Sequence, residues 1–125
     1  MKHALKKTAG LAALTLAACT PPPADPAAAV REAELICLCL SDDAAVRAVL
    51  AAAEPALAAG CLVIDFSTIA PATSIALAAR LATSGVGYID APVTGGTEGA
   101  QAGTLSVLIG GAKADVERAR PLLEL

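Results

Sequence analysis

The sequence predicts an α/β fold, a mostly parallel sheet covered by helices on both faces. Three observations carry that expectation. Apolar runs of strand length, ELICLCL, CLVIDF, GYIDAPV and TLSVLIGG, recur along the chain. Between the first three lie segments of helical length, and strands alternating with helices imply βαβ units whose crossovers cover a parallel sheet. Finally, Gly95, Gly96, Gly99 and Gly103 crowd together between two strand-like segments. A linker would carry Ser and Gly without apolar neighbours. Here the glycines imply a backbone that turns tightly and lets something approach closely.

Taken in order, Asp25-Pro26 starts a short helix, AAAVREAE, with Asp as N-cap and Pro in the first turn. ELICLCL reads as a strand buried on both faces. Ser41, Asp42 or Asp43 then caps the helix DAAVRAVLAAA, which Pro55 breaks or restarts and Gly60 ends. CLVIDF is a second buried strand, STIAP a loop, and PATSIALAARLATSG a helix with Ser84-Gly85 at its C-terminal end. GYIDAPV is a third strand, a glycine-rich loop follows, and TLSVLIGG is a fourth. AKADVERARPLLEL closes the chain as a helix interrupted at Pro121.

At 125 residues the chain is one domain at most. Its 56% hydrophobic content overstates the core, because 32 residues are Ala. With one Phe, one Tyr and no Trp, packing relies on Leu, Val and Ile. A net charge of −3 gives no electrostatic footprint for nucleic acid. The cysteines are Cys19, Cys37, Cys39 and Cys61, and the single histidine is His3, so there is no Cys/His ligand set and no metal is expected. Buried free thiols in a reducing compartment are the expected reading, with Cys37 and Cys39 on one face of a strand.

Residues 1–24 read two ways. A basic start, an apolar run and Leu16-Ala17-Ala18-Cys19 follow the pattern of a lipoprotein signal, with TPPPADP as an extended tether. The other reading is an Ala/Leu-rich helix and a short strand, TLAAC, within the domain. The first would anchor the protein to a membrane through Cys19; the second fits a cytoplasmic protein, which is the expectation.

In an open parallel sheet, ligands bind beyond the carboxyl ends of the strands. Three polar segments fall there: Leu40-Ser41-Asp42, Ser67-Thr68 and Thr94-Gly95-Gly96. Each could serve only to cap a helix or shape a turn. Together at one rim they favour a ligand crevice offering hydrogen bonds to phosphate, ribose or carboxylate oxygens.

The series AELICLCLSDDAAVRAVL, CLVIDFSTIAPATSIALAARL and GYIDAPVTGGTEGAQAGTLSVLIGG resembles the cofactor domain of the β-hydroxyacid dehydrogenases, the 3-hydroxyisobutyrate, tartronate semialdehyde and 6-phosphogluconate-like enzymes. The resemblance implies a partial, Rossmann-like sheet over residues 25–125, the C-terminal half of an NAD(P)-binding domain. It implies NAD or NADP as cofactor and a small 3-hydroxy acid as substrate. Leu40, Ser41 and Thr68 match the family's cofactor-contacting positions, with Ser41 where the family usually has Pro. Thr94, Gly95 and Gly96 match its Ser-Gly-Gly substrate loop, close to a small carboxylate.

Two departures accompany it. The family's opening G-x-G-x-x-G turn does not occur in these 125 residues. Nor does any of Lys2, Lys6, Lys7 and Lys113 match the family's catalytic lysine, so no catalytic residue is assigned. The chain is expected to be a truncated, inactive member that binds cofactor weakly. ELICLCL, central in the family's sheet, would lie at an edge here, and self-association through that edge is expected. A lipid-anchored envelope protein reusing the fold for binding is the alternative.

Overall fold

In the computed structural model, which describes residues 25–123, the chain begins with helix α1, Pro26–Val30. Asp25 caps it as predicted, its carboxylate accepting the Ala27 N–H at 3.0 Å. The helix stops well short of AAAVREAE, because Glu34 already belongs to the sheet: its carbonyl accepts the Leu62 N–H at 3.0 Å. Strand β1 follows at Leu35–Leu38, and helix α2 at Asp43–Ala53. Of the three candidate caps, Asp42 does the capping, accepting the Ala45 N–H at 2.8 Å. Pro55 neither restarts α2 nor carries it to Gly60; it sits in a 3₁₀ turn at Glu54–Ala56.

Strand β2, Leu62–Asp65, is buried along its whole length. Helix α3 runs Pro71–Ala82 and ends at Ser84-Gly85 as predicted, with Gly85 at φ 71° and the Val86 N–H returning to Leu81. Strand β3, Gly87–Asp90, completes a parallel trio. In register, Leu38 stands beside Asp65, and Asp65 beside Asp90.

The last third departs from expectation. TLSVLIGG is not one strand. Its first part, β5 at Ser106–Val107, pairs antiparallel with β4 at Val93–Thr94 in a separate two-stranded ribbon. Its end, β6 at Gly110–Gly111, pairs antiparallel with β3 at the edge of the main sheet, whose order is β1-β2-β3-β6. The switch occurs where the Leu108 N–H turns back to the Pro92 carbonyl at 2.9 Å. The glycine-rich segment is not a loop throughout; Gly96–Ala102 forms helix α4, ended by Gly103 in the left-handed conformation at φ 68°. Helix α5, Lys113–Leu123, runs through Pro121 rather than breaking there. Pro121 lies near its end, so little helix remains to be disturbed, and fully buried Ala119 anchors the turn before it.

Helices cover both faces of the mostly parallel sheet, as predicted. On one face, Val46 and Leu50 of α2 and Leu77 and Leu81 of α3 pack on Ile36, Leu38, Val63 and Tyr88. On the other, Ala119 and Val116 of α5 pack on Leu62, Ile64 and Ile89. Strand β1 does not match the expectation of burial on both faces. Ile36 and Leu38 point into the core, whereas Cys37 and Cys39 are exposed on the opposite face. α5 packs over β3 and β6; on that face of β1, Leu35 reaches the cluster beneath it, while Cys37 and Cys39 stay exposed. Thus the two cysteines share a face as predicted but are not buried; Cys61 is. Cys19 and the rest of 1–24 lie outside the described residues.

Candidate functional site at the carboxyl rim of the sheet

The parallel register places the carboxyl ends of β1, β2 and β3 side by side, and hydrogen bonds tie the chain just beyond them. The Leu40 N–H donates to the Ser67 hydroxyl at 2.9 Å, joining the first two predicted segments. Phe66 N–H donates to the Leu38 carbonyl and Ala91 N–H to the Asp65 carbonyl, each at 2.8 Å, extending the ladder onto the rim. Leu40 packs its side chain on the core, while Ser41 and Thr68 are exposed. The Ser41 hydroxyl donates to the Asp42 carboxylate at 3.2 Å.

Thr94, Gly95 and Gly96 are held by a different part of the fold. Thr94 stands opposite Ser106 in the ribbon, and the Gly95 carbonyl receives the Gly99 N–H at 3.0 Å. Gly95 has φ 133°, which L side chains rarely adopt, and a Cβ there would lie 3.0 Å from Leu105. Local geometry therefore accounts for this glycine, with the α4 helix starting directly after it. All three residues are exposed.

Beneath the rim lies a polar arrangement that the motif reading passed over. Asp65, fully buried, accepts the Ser67 N–H with Oδ1 and the Tyr88 hydroxyl with Oδ2, both at 2.9 Å. Burial first, and then the Asp65 carboxylate, push the Tyr88 phenol far above its ordinary value of 10. The signal was present in IDFS: an acid ending an apolar strand two residues before a serine can close an Asx turn. Nearby, the Ser74 hydroxyl donates to Asp90 at 3.1 Å. Asp43 accepts the Ala70 N–H, tying α2 to α3, and its carboxyl is held below the ordinary range, first by a hydrogen bond from the Thr73 hydroxyl.

A cleft of about 260 Å³ lined by Ser74, Ile75, Tyr88 and Asp90 contains none of the six predicted residues. Among the described residues no group of three or more potential metal ligands forms, and no helix is long and apolar enough to cross a membrane.

A mostly parallel sheet with helices on both faces and a polar carboxyl rim defines the Rossmann-like class. Residues 4–125 match the family described as the NAD binding domain of 6-phosphogluconate dehydrogenase. The chain belongs to that family, the cofactor domain of the β-hydroxyacid dehydrogenases. Among curated proteins, 3-hydroxyisobutyrate dehydrogenase of Pseudomonas aeruginosa is 52% identical over 63 residues, 50% of this chain and 21% of that protein. Among solved structures, a Mycobacterium tuberculosis 3-hydroxyisobutyrate dehydrogenase with L-serine superposes with TM-score 0.78 and 34% identity, covering 93% of this chain and 40% of that one. Psf3 in complex with NADP+ and 2-OPP gives TM-score 0.71 and 39% identity, covering 80% of this chain and 37% of that one. The chain thus spans well under half the length of these relatives.

Proposed function

We propose that the chain supplies part of the cofactor site of an NAD(P)-dependent β-hydroxyacid dehydrogenase, whose reaction is the reversible oxidation of a small 3-hydroxy acid. The observation that carries this reading is the Leu40–Ser67 hydrogen bond, which holds the ends of β1 and β2 at one rim with Ser41 and Thr68 facing out. Leu40, Ser41 and Thr68 take the nicotinamide half of the cofactor, whose ring accepts and returns hydride. Thr94, Gly95 and Gly96 take the substrate carboxylate.

The residues present fit that half and not the pyrophosphate. The α2 N-terminus, a natural anion site, is filled by the Asp42 carboxylate and flanked by Asp43. A phosphate there would meet two negative charges. The rim of β1 and β2 therefore suits the amide and ribose, which hydroxyls and backbone groups bind. A cytoplasmic location draws support from the family match, which begins at residue 4. Self-association through the outer edge of β1 belongs to the same proposal.

The test is a titration of the 125-residue chain with NADH, followed by amide NMR. Shifts should concentrate at Leu40, Ser41, Thr68 and their neighbours, with affinity weaker than micromolar. Several charge-assisted bonds of roughly 1.5–3 kcal/mol each belong to the glycine turn that this sequence does not contain, and losing them is a loss of several decades. No shifts at millimolar NADH would overturn the reading. With 3-hydroxyisobutyrate and either cofactor the chain should show no turnover; rates of about 1 per second or more would contradict that.

A further inference from the structure

A fully buried carboxylate in a strand of apolar residues needs an explanation. Leu62, Val63 and Ile64 precede Asp65 in β2, and all four are buried. An apolar side chain would fill the same volume without the cost of removing a charge from water, a cost tolerated only where the charge is hydrogen-bonded. Asp65 is bonded on both oxygens, and the two bonds lead in different directions. Oδ2 accepts from Tyr88, itself 4% exposed and fixed in the core of β3. Oδ1 accepts from the backbone of Ser67, the first residue of the rim segment to turn away from the sheet. The Ser67 hydroxyl, so placed, accepts the Leu40 N–H across from β1.

We infer that Asp65 is a positioning residue for the cofactor rim: braced by Tyr88, it fixes Ser67, and through Ser67 it sets both Leu40 and the outward-facing Thr68. The inference rests on the proposed cofactor site. Tyr88 anchors the line to the rigid interior, Asp65 carries it across one strand, and Ser67 delivers it to the rim. The chain Tyr88–Asp65–Ser67–Leu40 spans three adjacent strands, so rim segments from β1 and β2 are aligned by a group that never reaches the surface.

The experiment measures NADH affinity by amide NMR, at a temperature where thermal unfolding shows each variant folded. Asp65→Ala should weaken NADH binding about tenfold and shift the Leu40 and Thr68 amides before NADH is added. Asp65→Asn should bind within about twofold of the unmodified chain. Its amide oxygen still accepts from Ser67, and its NH2 donates to the Tyr88 hydroxyl, which turns to accept. A role confined to stability would move the melting temperature without moving the affinity of the folded protein or being relieved by Asn in binding. Should Asp65→Ala fail to fold, Ser67→Ala, which removes only the tether to Leu40, should weaken binding about threefold. Unchanged NADH affinity in a folded Asp65→Ala or Ser67→Ala protein overturns the inference and leaves the cofactor site standing. No binding by the unmodified chain overturns both.

Discussion

Tyr88 is the single tyrosine of a chain without tryptophan, so its phenol can be watched alone. Burial and the Asp65 carboxylate keep its proton on in the folded state, well above the ordinary value of 10, while the unfolded chain releases it near that value. Stability contributed by the protonated phenol is therefore intact below about pH 10 and falls above it. In an alkaline titration, phenolate absorbance should appear together with loss of circular dichroism, not before it. A phenolate signal at ordinary pH in a still-folded chain would show that the Asp65 bond does not hold in solution. Asp43 works in the opposite direction. Its folded value is lowered, so its contribution is complete above the ordinary value of 3.8 and is lost as the pH falls through the lower folded value. Asp43→Asn should lower the melting temperature at neutral pH and reduce its fall on acidification; parallel melting-temperature curves for the two proteins would contradict this.

Elements carry their own test at the start of α4. Gly95→Ala must place a Cβ at φ 133°, 3.0 Å from Leu105, whereas Gly96→Ala meets open space at φ 62°. Gly96→Ala should cost about 1 kcal/mol, the left-handed penalty alone. Gly95→Ala should cost more, about 2–3 kcal/mol, because strain and crowding add; denaturant midpoints that rank them the other way would contradict the geometry. Element identity was legible where period and caps agreed: Asp25-Pro26, the α2 segment, and the Ser84-Gly85 stop. It was not legible where tertiary contact decided. Nothing in TLSVLIGG marks Leu108 as the point where the backbone leaves one sheet for another, and the exposure of Cys37 depends on where α5 comes to lie. The first two rim segments, Leu40-Ser41-Asp42 and Ser67-Thr68, could be read from strand order, and the Leu40–Ser67 hydrogen bond joins them; the third, Thr94-Gly95-Gly96, lies instead in the β4–β5 ribbon and at the start of α4. Asp65 was hidden because a strand-terminal acid reads as solvent-facing until the register turns it inward.

At the scale of the whole molecule, β1 is the outer strand among the described residues, with its far edge unpaired there. Such an edge is a template for another chain. Leu38 faces the core, so a lysine there would damage packing; Cys37 is exposed and offers the better position. At tens of micromolar the unmodified chain should sediment as a dimer or larger species, and Cys37→Lys should shift it toward monomer, because like charges would face one another across the new pairing. A monomeric unmodified chain would mean that the edge is already covered.

The unequal placement of the thiols makes the protein its own clock. Cys37 and Cys39 are open to a thiol reagent, while Cys61, at the start of the innermost strand, is 2% exposed and its thiol is pushed up by burial. Modification of Cys61 must wait until β2 comes away from its neighbours, so its rate, divided by that of the same thiol in an unfolded peptide, gives the fraction of time the sheet spends open. A ligand that binds only the closed sheet lowers that fraction by the factor 1 + [L]/Kd. The slowing of one buried thiol by NADH would then report cofactor affinity with no turnover required.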